Sequence, residues 1–116
     1  MSHSWKTVCS VHDIKDGMGV CALVGGCQVA LFRVNERIFG VSNHDPFSGS
    51  NVISRGITGD LQGHIVVASP VYKQHFDLET GICLEDESVC LTSYPVEVVD
   101  DCVMVMLPAS NIDQVA

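Results

Sequence analysis

The side chains able to do chemistry in this chain are six cysteines, five histidines and a large excess of carboxylates, and their spacing limits what they can do. Cys9, Cys21, Cys27, Cys83, Cys90 and Cys102 contain no close pair at zinc spacing. His3, His12, His44, His64 and His75 form no His-x-His or Cys-x-x-His element, so no preformed metal site is written in the sequence. His44 stands beside Asp45, the pairing of a base with its orienting carboxylate. Neighbours on an extended segment project to opposite sides, however, which argues against a working dyad. There is no Gly-rich phosphate loop ahead of a helix pattern and no Gly-x-Ser-x-Gly elbow. The chain thus offers no nucleophile and no catalytic residue of its own.

The elements that must position these residues read as strands. Short runs rich in Val, Ile and Leu are punctuated by Gly, Asn or Asp pairs, and hardly any stretch holds a 3.6-residue apolar period. Residues 20–24 and 29–34 form a hairpin about Gly25-Gly26, because paired glycines supply the positive φ of a tight turn; Asn35-Glu36 then leads into a strand at 38–41. Residues 42–62 turn polar and irregular, too long for an ordinary connection. Order returns at 65–68, breaks at Ser69-Pro70, and resumes at 74–78, with a turn at Glu79-Thr80-Gly81 and a short strand at 82–84. The last pair, 96–99 and 102–107, is joined by Asp100-Asp101. The expectation is a single all-β domain over residues 1–116, with residues from near both ends forming its base, a smaller loop-and-hairpin subdomain over about 42–84, and a loose tail at 108–116.

Composition excludes several function classes. Six Lys plus Arg against 14 Asp plus Glu give a formal charge of −8, and the few basic residues are scattered, which argues against nucleic acid as a partner. No run approaches the ~20 apolar residues of a membrane span. Met1-Ser2-His3-Ser4-Trp5-Lys6 lacks the charged start and apolar stretch of a secretory signal. The expectation is a cytoplasmic protein with reduced thiols, its cysteines acting as small buried hydrophobes and its Glu85-Asp86-Glu87 run lying in a solvated loop.

Two linked segments carry a family resemblance. Phe39-Gly40-Val41-Ser42-Asn43-His44-Asp45-Pro46-Phe47 resembles the first ligand loop of Rieske iron–sulfur domains, in which a strand ends in Asn followed by Cys-x-His. Ser69-Pro70-Val71-Tyr72, with His75-Phe76-Asp77-Leu78-Glu79-Thr80-Gly81, resembles the second, Cys-Pro-x-His-Gly-x-x-Phe-x-Leu-x-Thr-Gly. The resemblance implies a Rieske-like antiparallel β sandwich, and it puts Asp45 and Ser69 where the family has cysteine and Phe47 and Tyr72 where it has histidine. Those side chains cannot replace two thiolates and two imidazoles on iron, so a bound [2Fe–2S] cluster is not expected. Phe47 and Tyr72 are instead expected to fill the space it would occupy.

A Rieske-like domain with this pattern of loss is similar along nearly its whole length to the small subunits of assimilatory NAD(P)H-dependent nitrite reductases. The matching stretches are Trp5-Lys6, Gly19-Val20-Cys21-Ala22-Leu23, Ser42-Asn43-x-Asp45-Pro46-Phe47, Ser54-Arg55-Gly56, Val67-Ala68-Ser69-Pro70 and Cys83-x-Glu85-Asp86-Glu87. The resemblance implies an accessory role in reducing nitrite to ammonium, with no cofactor in this chain, and a large-subunit partner that carries FAD, an iron–sulfur cluster and sirohaem. Asn43, His44, Asp45, Pro46, Phe47, Ser69, Pro70 and Tyr72 are then vestigial cluster positions and candidate contacts with that partner. The competing expectation is a stand-alone Rieske-type electron-transfer protein with unconventional ligands such as Asp45 and His44 and nearby cysteines. A small-ligand module is a third, although nothing in the sequence marks a pocket.

Overall fold

The computed structural model describes residues 3–108. Its strands are β1 (His3–Ser10), β2 (Gly19–Val24), β3 (Cys27–Val34), β4 (Arg37–Ser42), β5 (Ile57–Leu61), β6 (His64–Ala68), β7 (His75–Asp77), β8 (Ser93–Tyr94), β9 (Val96–Val99) and β10 (Cys102–Pro108). Four two-residue turns set the registers: Gly25-Gly26, Asn35-Glu36, Gln62-Gly63 and Asp100-Asp101 all have both residues at positive φ. Such turns carry the twist of the strands they join, so β2–β3, β3–β4, β5–β6 and β9–β10 pair as tight hairpins. The antiparallel sheets run β1-β10-β9, β2-β3-β4-β8 and β5-β6-β7. Among the described residues no helix is long and apolar enough to cross a membrane.

The core explains why β3 reads as an unbroken apolar run. Val29, Ala30, Leu31 and Phe32 are all fully buried, and successive side chains go to opposite faces. Val29 and Leu31 join a cluster with Ile14, Val24, Tyr94, Val103, Val105 and Leu107, which packs the first two sheets together. Ala30 and Phe32 join a second, with Phe39, Val41, Ile53, Val67, Phe76 and Leu78, which seats the third sheet. One strand therefore serves both halves, and the third sheet is seated on its second face.

Several expectations need correction. The stretch 42–62 contains β5, which the sequence hides because an edge strand with Ile57 and Gly59 in solvent shows no alternation. β1 was also not anticipated, since His-Ser-Trp-Lys-Thr-Val-Cys-Ser is as polar as a loop, yet it pairs with β10 along its length. The expected strand at 82–84 is only a pair of single bridges, Phe76 to Cys83 and Ile82 to Cys90. Of the cysteines expected to be buried, only Cys83 is: Cys9 and Cys27 are half-buried, and Cys21, Cys90 and Cys102 are exposed. On β2 and β10 the alternation turns Cys21 and Cys102 away from the faces that bury Val24 and Val103. Pro108 ends β10, and the rest of the expected tail lies outside the described residues.

The turn after β7 depends on one residue. Gly81 has φ +83°, donates its N–H to the Asp77 carbonyl at 2.7 Å and accepts from the Leu91 N–H at 2.7 Å, and a Cβ there would overlap the Leu91 carbonyl oxygen. Gly81→Ala should therefore cost about 3 kcal/mol or more, from left-handed strain plus the clash, and thermal unfolding will register it as a fall in Tm.

Candidate functional site

The two ligand-like loops are built to one plan. In the first, the Asp45 N–H donates to the Ser50 carbonyl at 2.8 Å and the Gly49 N–H to the Asp45 carbonyl at 2.8 Å. In the second, the Ser69 N–H donates to the Gln74 carbonyl at 2.9 Å and the Lys73 N–H to the Ser69 carbonyl at 3.1 Å. Each loop also closes a small turn on the side chain that begins it: the Phe47 N–H donates to Asp45 Oδ1 at 2.9 Å, and the Val71 N–H to Ser69 Oγ at 3.3 Å. The fifth residue of each loop is left-handed, Gly49 at φ +78° and Lys73 at φ +67°. Lys73 occupies the glycine position of the motif and so carries strain that glycine would not.

The first residues of the two loops meet. Ser69 Oγ donates to Asp45 Oδ2 at 2.5 Å, and both residues are fully buried. Burial alone would raise the Asp45 carboxyl, but the Ser69 hydroxyl, the Phe47 amide and hydrogen bonds from Ser48 outweigh it and hold the group below the ordinary carboxylate range. Asn43 anchors the root of the first loop. Its Nδ2 donates to Gln28 Oε1 at 3.0 Å and the Asn51 carbonyl at 3.1 Å, with Cys21 Sγ at 3.5 Å, while its Oδ1 accepts the Ser54 N–H at 2.7 Å. Only 2% exposed, this amide is satisfied on both sides.

The other predicted site residues divide between interior and surface. Phe47 packs on the second core with its ring 6.1 Å from that of Phe76. Tyr72 does not join it: the side chain is 60% exposed, so the expected two-ring plug is a single ring plus a hydrogen-bonded pair. The second loop turns Tyr72 outward because its Ser69-to-Val71 turn and Lys73 geometry point residues 70–72 away from the core. Pro46 and Pro70 are exposed. His44 is exposed and bonds Asn51 Oδ1 through Nδ1 at 3.0 Å, while its neighbour Asp45 faces inward, so the two form no dyad. Sequence reasoning overlooked the lock between Asp45 and Ser69, although both had been placed at facing family positions. It also overlooked His75, whose Nδ1 and N–H engage Glu85 at 2.6 and 2.8 Å and brace the foot of the second loop.

The donor chemistry does not suit a two-iron cluster. The positions equivalent to thiolate and imidazole hold a carboxylate already shared between a hydroxyl and an amide, a phenyl ring, a hydroxyl given to that carboxylate, and an outward phenol. Among the described residues no group of three or more His, Cys, Asp or Glu side chains is arranged to hold a metal ion.

The lock makes measurable predictions. Ser69→Ala leaves a buried carboxylate short of one partner and should cost about 2–3 kcal/mol in denaturant unfolding. The folded Asp45 carboxyl lies below its unfolded value of about 4, so its contribution is complete above that value and is lost as pH falls below it and through the folded value. Asp45→Asn, which can keep the geometry as a neutral group, should be less stable than wild type at pH 7 by about 1 kcal/mol and should flatten the acid limb of the Tm–pH curve. Lys73→Gly should raise stability by about 0.5–1 kcal/mol in the same assay.

Residues 4–106 match the family model of the Rieske-like [2Fe–2S] domain. The nitrite reductase (NADH) small subunit of Salmonella typhimurium is 46% identical over 98 residues, covering 83% of this chain and 91% of that protein. The NMR structure of the E. coli protein NirD superposes with a TM-score of 0.86 at 42% identity, covering 93% of this chain and all of that one. A nitrite reductase [NAD(P)H] large subunit from Klebsiella oxytoca is 35% identical over 97 residues, 84% of this chain but only 10% of that protein. With the fold, the two loops and these relatives in agreement, the chain belongs to the Rieske-like domain family and, within it, to the nitrite reductase small subunits.

Proposed function

We propose that this chain is the accessory small subunit of a cytoplasmic NAD(P)H-dependent nitrite reductase that reduces nitrite to ammonium, and that it acts by associating with the large subunit rather than through a [2Fe–2S] cluster of its own. The observation that carries the cluster-less part is the buried contact between Asp45 and Ser69, which uses for a hydrogen bond the two side chains that would have to be thiolates. Association is supported by the Klebsiella large subunit, in which a homologous stretch is part of the same polypeptide. A domain that occurs both as a separate chain and within a large subunit is one that can act beside it. FAD, the iron–sulfur cluster and sirohaem belong in this reading to the large subunit. The chain contributes no catalytic residue; its side chains shape and present a surface.

Anaerobic purification with the partner, followed by separation of the chains, tests both parts. The expected result is a complex with nicotinamide-dependent nitrite reduction and an isolated small chain that is colourless and free of iron. About two irons and two sulfides on the isolated chain, with a visible Rieske spectrum, would overturn the cluster-less assignment. A folded chain that neither binds the large subunit nor alters its turnover would overturn the accessory role.

A further inference from the structure

We infer that the tip made by the two loops is the surface on which the large subunit docks, and that the segment Pro70-Val71-Tyr72 is the anchor. This rests on the accessory-subunit reading and adds where the partner sits and what chemistry it must present. The first observation is exposure without a folding reason. Tyr72 is 60% and Val71 43% exposed, flanked by Pro70 and near the loop that carries Pro46, so the tip displays apolar side chains that contribute nothing to either core. An aromatic ring with a polar end on a rigid base is the residue type that dominates binding energy at protein interfaces.

The second observation is rigidity. The buried Asp45–Ser69 bond and the paired backbone hydrogen bonds fix both loops, tightly enough to hold Lys73 in a strained left-handed conformation. Fixing the loops before docking removes the ordering cost that a flexible tip would incur on association.

The third observation is charge. The chain carries −8 overall, yet residues 43–56 and 69–74 contain a single carboxylate, Asp45, and it is buried. Lys73 is exposed on the second loop. Exposed acid resumes at the foot of that loop, where Glu85 is tied to His75 and is followed by Asp86 and Glu87. The complementary partner surface is therefore an apolar recess with a carboxylate opposite Lys73 and basic side chains toward residues 85–87.

Binding of the purified large subunit to immobilised small chain tests this, with thermal unfolding of each variant as the check on folding. Val71→Asp with Tyr72→Asp should leave Tm near wild type, since neither side chain belongs to either core, and weaken binding by about 30-fold or more. Lys73→Gly should weaken binding about threefold and change its salt dependence, while Leu23→Asp, exposed on β2 outside the loops, should bind within twofold of wild type. A folded loop double variant that binds as wild type, or a Leu23→Asp variant that loses binding while the loop variant keeps it, would overturn the docking surface and leave the accessory role standing. A wild-type chain that does not bind the large subunit would overturn that role and the surface together.

Discussion

One buried hydrogen bond ties together the two loops of the candidate site. The first loop leaves β4 of the second sheet and the second joins β6 to β7 of the third, and neither carries enough apolar surface to bury itself. Without a cross-connection each would be an independent flap. Ser69 Oγ on Asp45 Oδ2 joins the first residue of one loop to the first residue of the other. The carboxylate can afford to be ionised in the interior because Phe47 and Ser48 also donate to it. A charge left with only one of these partners would be costly, so the lock and the loop turns depend on each other. Phe47 then covers the lock from the side, resting on Phe76 of β7.

The support behind that lock reaches back to the base of the fold. Asn43 receives the end of β4 and ties it to Gln28 on β3, and to Asn51 and Ser54 farther along the chain. Since β3 is buried on both faces, a displacement at Asn43 would be resisted by both hydrophobic clusters. Loop geometry is thereby coupled to the strand that both hydrophobic clusters share. The tip is stiff because of what lies under it, and not only because of its own turns.

The parts legible in the sequence are those governed by local rules. Gly25-Gly26, Asn35-Glu36 and Asp100-Asp101 announce their turns because few residues tolerate two successive positive φ values, and the apolar run through β3 marks a strand buried on both sides. Illegible were β1 and β5, whose residues gain their conformation from partners distant in sequence and show polar or irregular patterns of their own. At the site, motif register put Asp45 and Ser69 in the right places, but that they bond each other is a fact of three dimensions, 24 positions apart in the chain. Tyr72 failed for the same reason. Its type suggested burial, whereas the turn begun by Ser69 sends it into solvent.

A hydrogen bond between Asp45 and Ser69 responds to different influences than metal ligation at those positions would. A two-iron centre would link the loops through bonds whose charge alters with every electron gained or lost. The bond between Asp45 and Ser69 has no redox state, and its carboxylate, held below the ordinary range, stays ionised across neutral pH. The contact between the two loops is therefore indifferent to electron transfer and to pH changes around neutrality. On the proposed accessory role, a surface whose charge does not change is suited to holding a partner at constant affinity through turnover.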